Sequence, residues 1–318
     1  MPSPVDVVIV AYNRYDLTES CLRHLAAQTR DHQVIVVENG STDDTRARLS
    51  AEWPELQVIP IDVNSAFSVA CNAGVAAGTA EWIVLLNNDV DCRPDFVERA
   101  VAPLENDPAL GSVATLCLRP GEALIDSVGL TVDATLAAFP RHQGRPAAEA
   151  DRPEPVLAGP TGTAAAYRRA AWEALDGLDE RIFAYGEDLD LTLRLRAAGW
   201  GSVAATGAIG VHLGSATHGH RSARQRRYGG FGRAYLARRY GLLRRGAPVR
   251  LAASEAMVVV GDAVLSRDLE ALRGRIEGWH AARSLPPHAL PPAEAIDRGI
   301  SFRDSVALRR GVYARDRG

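Results

Sequence analysis

The sequence predicts an α/β protein in which a mostly parallel sheet is flanked by helices and followed by a helical extension. Short β-branched runs alternate with stretches of helical periodicity through roughly the first hundred residues, the pattern of a sheet covered on both faces. Charge then divides the chain. Ten arginines fall between Arg221 and Arg250, and no Asp or Glu occurs from Leu191 to Ser254. The expected organisation is an α/β domain over residues 1–220 and a basic, mainly helical region over 221–318.

The elements follow in order. Residues 5–11 form an apolar run too short for a helix, and Leu17, Cys21, Leu22 and Leu25 then repeat at helical spacing. Residues 34–37 are a second buried strand, ending in Glu38-Asn39-Gly40-Ser41 before a helix that runs to about Leu49. Residues 58–61 make a weaker strand, and Pro60 assigns it to an edge. A helix over 66–77 precedes Trp82-Ile83-Val84-Leu85-Leu86, the clearest buried strand, which stops at Asn87-Asn88-Asp89. Residues 119–160, rich in Gly and Pro, read as irregular hairpins. Helices are expected over 167–175 and 188–198, the latter closed by Gly199, then a short strand and turn over 203–212. The tail from Leu251 is read as helical, broken by Pro286-Pro287 and Pro291-Pro292.

Composition removes several chemistries. All 36 basic residues are arginine. A phosphate-binding P-loop, a protein-kinase site and pyridoxal Schiff-base chemistry each need a lysine and are excluded. The four cysteines have no metal-like spacing and read as unpaired thiols of a reducing compartment. No stretch approaches a membrane span, and the N-terminus lacks the basic region of a signal peptide. A cytoplasmic enzyme is expected, with peripheral contact at the inner face of a membrane.

Ligands of such sheets bind beyond the carboxyl ends of the strands, where Asn13, Glu38 and Asp89 all fall. A carboxylate ending a buried strand needs a partner. Asn87-Asn88-Asp89 is a hard-oxygen set suited to Mg²⁺ or Mn²⁺, or an ordinary turn. Glu187, Asp188 and Asp190 open an amphipathic helix whose dipole favours acids, as caps or as a general base. Asp190 lies four residues from Arg194, so it is assigned to a pair on the helix surface. That leaves Glu187 and Asp188 for a site. His212 follows the last strand and is a ligand or an ordinary packed residue.

The order of these motifs, rather than any one of them, resembles bacterial glycosyltransferases of family 2, in their rhamnosyltransferase-like branch. The resemblance spans about residues 5–240. Its markers include Ala11-Tyr12-Asn13-Arg14, Glu38-Asn39-Gly40-Ser41, Asn64-Ser65-Ala66, Asn72-Ala73-Gly74, Asn87-Asn88-Asp89, Gly177-Leu178-Asp179-Glu180, Tyr185-Gly186-Glu187-Asp188, Ala198-Gly199-Trp200 and His212. It implies a GT-A fold and an inverting transfer from a nucleoside-diphosphate sugar. It further implies Asp89 and His212 as the protein ligands of Mg²⁺ or Mn²⁺, Asp188 as base, and Glu187 beside it in acceptor binding. Donor contacts are implied for Ala11, Tyr12, Asn13, Arg14, Glu38, Asn39, Asn72, Asn87 and Asn88. Glu38 and Ala66 depart from the family's more usual Asp and Gly. Asp91 is read as a helix-entry residue before Pro94.

The donor expected from the resemblance is dTDP-rhamnose, and the acceptor a saccharide or polyprenyl-diphosphate-linked saccharide of envelope glycan synthesis. Galactofuranosyl transfer and a non-catalytic sugar-nucleotide-binding subunit are the alternatives. Arg221, Arg224 and Arg227 are read as a loop over the donor diphosphate or a lipid-diphosphate acceptor, or else as a solvated helix face. Nucleic acid is not expected, because the strand-end acids would repel its phosphates.

Overall fold

A computed structural model describes residues 4–214, 222–245 and 247–309. Alternation in the first part folds as β1 (Val5–Ala11), α1 (Tyr15–Ala26), β2 (Gln33–Asn39), α2 (Thr45–Glu52), β3 (Gln57–Ile61), α3 (Phe67–Ala77) and β4 (Trp82–Asn87). These strands lie parallel in the order β3, β2, β1, β4, with Pro60 on the edge strand. The order reverses at β1, so Val10 lies beside Asn87 and a cleft opens beyond both strand ends.

The chain continues with β5 (Val90–Cys92), α4 (Phe96–Asn106), β6 (Leu110–Leu118), β7 (Ile125–Ser127), β8 (Leu130–Val132), β9 (Ala138–Pro140) and β10 (Ala164–Arg168), of which β8 and β9 pair as a separate two-stranded sheet. After β10 come α5 (Arg169–Glu173), α6 (Glu187–Ala197) and β11 (Gly201–His212). Among the described residues the main sheet has nine strands, in the path β3-β2-β1-β4-β10-β6-β11-β5 with β7 beside β6. β11 runs parallel to β6, whereas β10 is antiparallel to both β4 and β6.

Several expectations change. The helix predicted over 167–175 is present but shorter: Arg169–Glu173 forms α5, while Tyr167 and Arg168 end strand β10, where they pair with Ile83 and Trp82 of β4. Ala164, Ala165 and Ala166 are buried small residues whose pairing with β4 and β6 overrides their helix propensity. β11 is a long strand rather than a short one. Asp91 lies within β5 and accepts from Ser20 Oγ at 2.8 Å, while Asp95 precedes α4. α4 and β6 stand outside the sequence expectations.

The C-terminal part is α7 (Ala223–Arg239), α8 (Leu242–Arg245), α9 (Pro248–Ser266), α10 (Glu270–Ala281) and α11 (Phe302–Arg309). Tyr235, Leu236, Tyr240 and Leu251 share one core cluster with Leu130, Val132, Leu189 and Leu193. The helical region therefore roofs the carboxyl end of the sheet. No described helix is long and apolar enough to cross a membrane.

Candidate active site

A cavity of about 810 Å³ lies at the strand ends beneath α7. Tyr12, Asn39, Asn87, Asn88, Asp89, Glu187, Asp188 and His212 all line it. The loops after β1 and β2 are laced together. Asn13 and Arg14 both have positive φ. The Asn13 backbone N–H donates to Ser41 Oγ at 2.8 Å, and its Oδ1 accepts from the Thr42 N–H at 2.8 Å. Gly40, at φ +73°, passes so close to Val63 and Asn64 that a Cβ would collide with their backbone. Asn39 then fixes the Asn64-Ser65 segment, its Oδ1 accepting from the Ser65 N–H at 3.0 Å.

Asp89 and His212 are far apart in sequence and are joined by strand pairing. Val90 lies opposite His212 in the antiparallel β5–β11 pair, and the Leu213 N–H donates to the Asp89 carbonyl at 2.9 Å. His212 Nε2 stands 3.4 Å from Asp89 Oδ2, and its Nδ1 is 2.7 Å from Asp126 Oδ2 on β7. Burial opposes the charged ring, but hydrogen bonds to Asp126 and Asp89 prevail and push His212 up to about 10. The carboxylate behind Nδ1 orients Nε2, an arrangement typical of metal-binding histidines. The described residues contain no group of three or more His, Cys, Asp and Glu able to hold a metal. An ion held by Asp89 and His212 would therefore need further ligands from substrate, as ions bound through phosphates do. The Asp89 carboxylate and phosphate oxygens would suit Mg²⁺ or Mn²⁺.

Asp188 opens α6 behind a turn in which Tyr185 and Gly186 have φ of 67° and 117°. α7 braces this turn, since a Cβ on Gly232 would collide with the Tyr185 carbonyl oxygen. Asp188 Oδ2 accepts from the Gly162 N–H at 2.9 Å and Oδ1 from the Leu189 N–H at 2.7 Å. The next residue, Thr163, accepts from the Asn87 N–H at 2.9 Å, so one short stretch of backbone joins the Asp188 carboxylate to the Asp89 loop. Glu187 is 7% exposed and its Oε2 has no hydrogen-bond partner. Burial, then the neighbouring Asp188 charge, push the Glu187 carboxyl up. Asp188 is also pushed up by burial, against the two backbone donors. Two carboxylates so placed resist simultaneous ionisation.

Other expected site residues are placed differently. Glu38 is fully buried, with Oε1 taking the Ser41 N–H at 2.6 Å and Oε2 paired with Arg46. It supports the Asn39-Gly40-Ser41 loop from behind and does not line the cavity. Ala11 is the buried end of β1, and Arg14 pairs outward with Asp16. Asn72 holds Leu178 through both amide atoms, at 2.9 and 3.0 Å, which pins the Gly177-Leu178 loop away from the cavity. Asp190 does pair with Arg194, at 2.7 Å, but fully buried rather than on the surface.

Arg221 lies outside the described residues. Arg227 pairs with Glu277 at 2.5 Å and, with Arg224, lines a second cavity of about 540 Å³ that shares Phe183 and Ala184 with the first. The arginines that line the main cavity are Arg226, Arg233, Arg275 and Arg309. Their grouping was not legible in sequence, because Glu255 collects three of them from α7, α10 and α11: Arg233 and Arg275 at 2.7 Å and Arg309 at 3.7 Å.

The profile of the family described as Glycosyl transferase family 2 matches residues 6–175, just over half of the chain. The N-acetylglucosaminyl-diphospho-decaprenol L-rhamnosyltransferase of Mycobacterium tuberculosis is 29% identical over 235 residues, covering 67% of this chain and 76% of that protein. The O-antigen biosynthesis protein RfbC of Myxococcus xanthus is 26% identical over 214 residues, covering 61% of this chain and 16% of RfbC. Among solved structures, a mannosyltransferase of Pyrobaculum calidifontis in complex with GDP-Man and Mn²⁺ superposes with a TM-score of 0.50 at 19% identity, covering 96% of this chain and 80% of that one. A second solved chain, with UDP, GalNAc and Mn²⁺, gives 0.56 at 11% identity, covering 72% of this chain and 47% of that one. The shared architecture is the GT-A fold.

Proposed function

Since the chain belongs to glycosyl transferase family 2, we propose that it is an inverting, divalent-metal-dependent transferase. It passes L-rhamnose from dTDP-rhamnose to a polyprenyl-diphosphate-linked saccharide during envelope glycan synthesis, working peripherally at a membrane face. The observation that carries the mechanism is that Asp188 and the Asp89–His212 pair line one cavity and are tied by the Gly162-Thr163 backbone. The rhamnosyl donor and lipid-linked acceptor are supported by the mycobacterial relative.

In this reading the acceptor hydroxyl attacks the anomeric carbon as the bond to the leaving diphosphate breaks, and one displacement inverts the centre. Asp188 takes the hydroxyl proton onto Oδ2 or Oδ1, held in place by the Gly162 and Leu189 N–H groups. Glu187, buried beside it and pushed toward its protonated form, donates or accepts a hydrogen bond to the acceptor. Tyr12, Asn39, Asn87 and Asn88 hold the nucleoside side of the donor. A divalent ion at Asp89 and His212 would supply neutralisation of the diphosphate charge that develops on departure.

The test is transfer of labelled rhamnose from dTDP-rhamnose to a lipid-diphosphate saccharide with and without Mn²⁺, with the anomeric configuration of the product read by NMR. Inverted product that requires the metal is expected. Retained configuration, or equal turnover after chelation, would overturn the mechanism, and turnover only with another nucleotide sugar would overturn the donor.

A further inference from the structure

α9 is built inside out. Its charged residues all turn toward the protein: Arg250 donates to Asp133 Oδ2 at 3.1 Å and to the Ile300 carbonyl at 2.8 Å. Glu255 joins Arg233 and Arg275, and Asp262 lines the main cavity. The outward stripe is Val249, Ala253, Ala256, Val260 and Val264, spaced at four, three, four and four residues, which is one helix face. Val249, Val260 and Val264 are 82%, 60% and 71% exposed. Apolar exposure continues through Leu265 in the last turn and, past the helix end, through Leu269, Leu272 and Ile276. Single exposed hydrophobics are ordinary, but a continuous stripe of them marks an interaction surface.

The rim identifies the occupant. Among the described residues of 243–267, the exposed charged ones are Arg244 and Arg245 before the helix and Arg267 after it, with no exposed Asp or Glu. A second copy of this chain packing α9 antiparallel on α9 would bring Arg244 and Arg245 against the partner copy's C-terminal end, where the same positive charge sits, and like charges there oppose association. An anionic lipid surface meets both features, taking the stripe at the headgroup boundary and the arginines at its phosphates. We propose that α9 is the membrane-docking surface, lying in the plane of an anionic bilayer with Val249, Val260 and Val264 toward the lipid. This rests on the membrane contact in the reading above and gives it an address. The opposite face of the same helix, at Val258 and Asp262, lines the cavity, so docking would hold the cavity within reach of a lipid-borne acceptor.

The full chain should co-sediment with phosphatidylglycerol–phosphatidylcholine vesicles, and much less with phosphatidylcholine alone. Val260→Asp with Val264→Asp should lower that partition at least about tenfold. Arg244→Glu and Arg245→Glu should each lower it roughly fivefold, and less at high salt. In case the Asp variants misfold, a second readout uses Val264→Cys carrying an environment-sensitive dye. All four native cysteines are buried, so the label goes to α9, and its emission should shift blue on the anionic vesicles. Unchanged partition of the folded Asp variant, or no dye shift, overturns the proposal. A dye shift that follows protein concentration without vesicles also overturns it, in favour of a second copy. Nucleotide binding with Mn²⁺, measured on the same variants, reports the transferase reading separately: it should be unchanged, and its absence in wild-type protein would sink that reading whatever the vesicles show.

Discussion

Asp188→Asn separates the proton-transfer role from every other function of the site. The carboxylate takes one N–H on each oxygen, from Leu189 and from Gly162. Asparagine can satisfy only one of them, and its NH₂ then faces a donor, at a cost of about 1–3 kcal/mol. Against this, the substitution removes a negative charge whose burial is already unfavourable and which repels Glu187. The two effects oppose, so the melting temperature should move little. Loss of the base should cost roughly 10²- to 10⁴-fold in kcat, about 3–5 kcal/mol in the barrier. Donor affinity should hold, because the Asp89–His212 pair is untouched. The wild-type rate should rise with pH through a carboxyl value lifted above the ordinary aspartate range, since the base works ionised and burial disfavours that form. The Asn variant should lose that limb. The assay is single-turnover transfer at saturating donor across pH, beside calorimetric titration of nucleotide with Mn²⁺. Turnover within tenfold of wild type, or a fall in donor affinity as large as the fall in rate, would refute the reasoning.

Asp126→Ala removes the acceptor that fixes His212, and Mn²⁺ affinity in the presence of nucleotide should drop about 10- to 100-fold by titration; unchanged affinity would show that Asp126 only packs. Glu187→Gln should raise thermal stability at neutral and alkaline pH. A glutamate raised in the folded state binds its proton more tightly there than in the unfolded chain, so its contribution is present below about pH 4.3 and lost as pH rises through the raised value. Melting curves over that range should therefore converge in acid and separate in base, and parallel curves would contradict the assignment. Glu255→Gln should destabilise by about 3 kcal/mol in chemical denaturation, because Arg233 and Arg275 lose their shared carboxylate. Glu255 is held down to about 2 against the cost of burial by Arg233 and Arg275, so the wild-type advantage should be full above about pH 4.3 and fade as pH falls toward 2.

What was legible in the sequence was whatever depends on short range. β1, β2 and β4 announce themselves by apolar runs, α6 by its acids and Gly199, and the edge strand by Pro60, because burial on both faces and backbone restrictions act within a few residues. β10 was not legible. Its three alanines carry no β-branched signal, and they are strand only because β4 and β6 lie on either side and leave room for small residues. The same limit applies to side chains. Asn72 and Glu38 have the chemistry of ligand contacts, and only their partners Leu178 and Arg46 reveal that their polar atoms are spent inside the protein.

The Asp89–His212 pair depends on an element that local pattern did not predict. Asp89 and His212 face each other because three residues of β5 pair antiparallel with the end of β11, which itself pairs with β6. Asp126 reaches His212 from β7, on the other side of β6. β6 is thus the common base of both partners of the histidine, although it carries none of the site's chemistry. A substitution that shifts β6 by one residue would turn its side chains to the opposite face and disturb the strands that carry His212 and Asp126. Metal affinity should therefore be more sensitive to packing of Val113 and Cys117, which are fully buried, than their distance in sequence from any ligand would suggest.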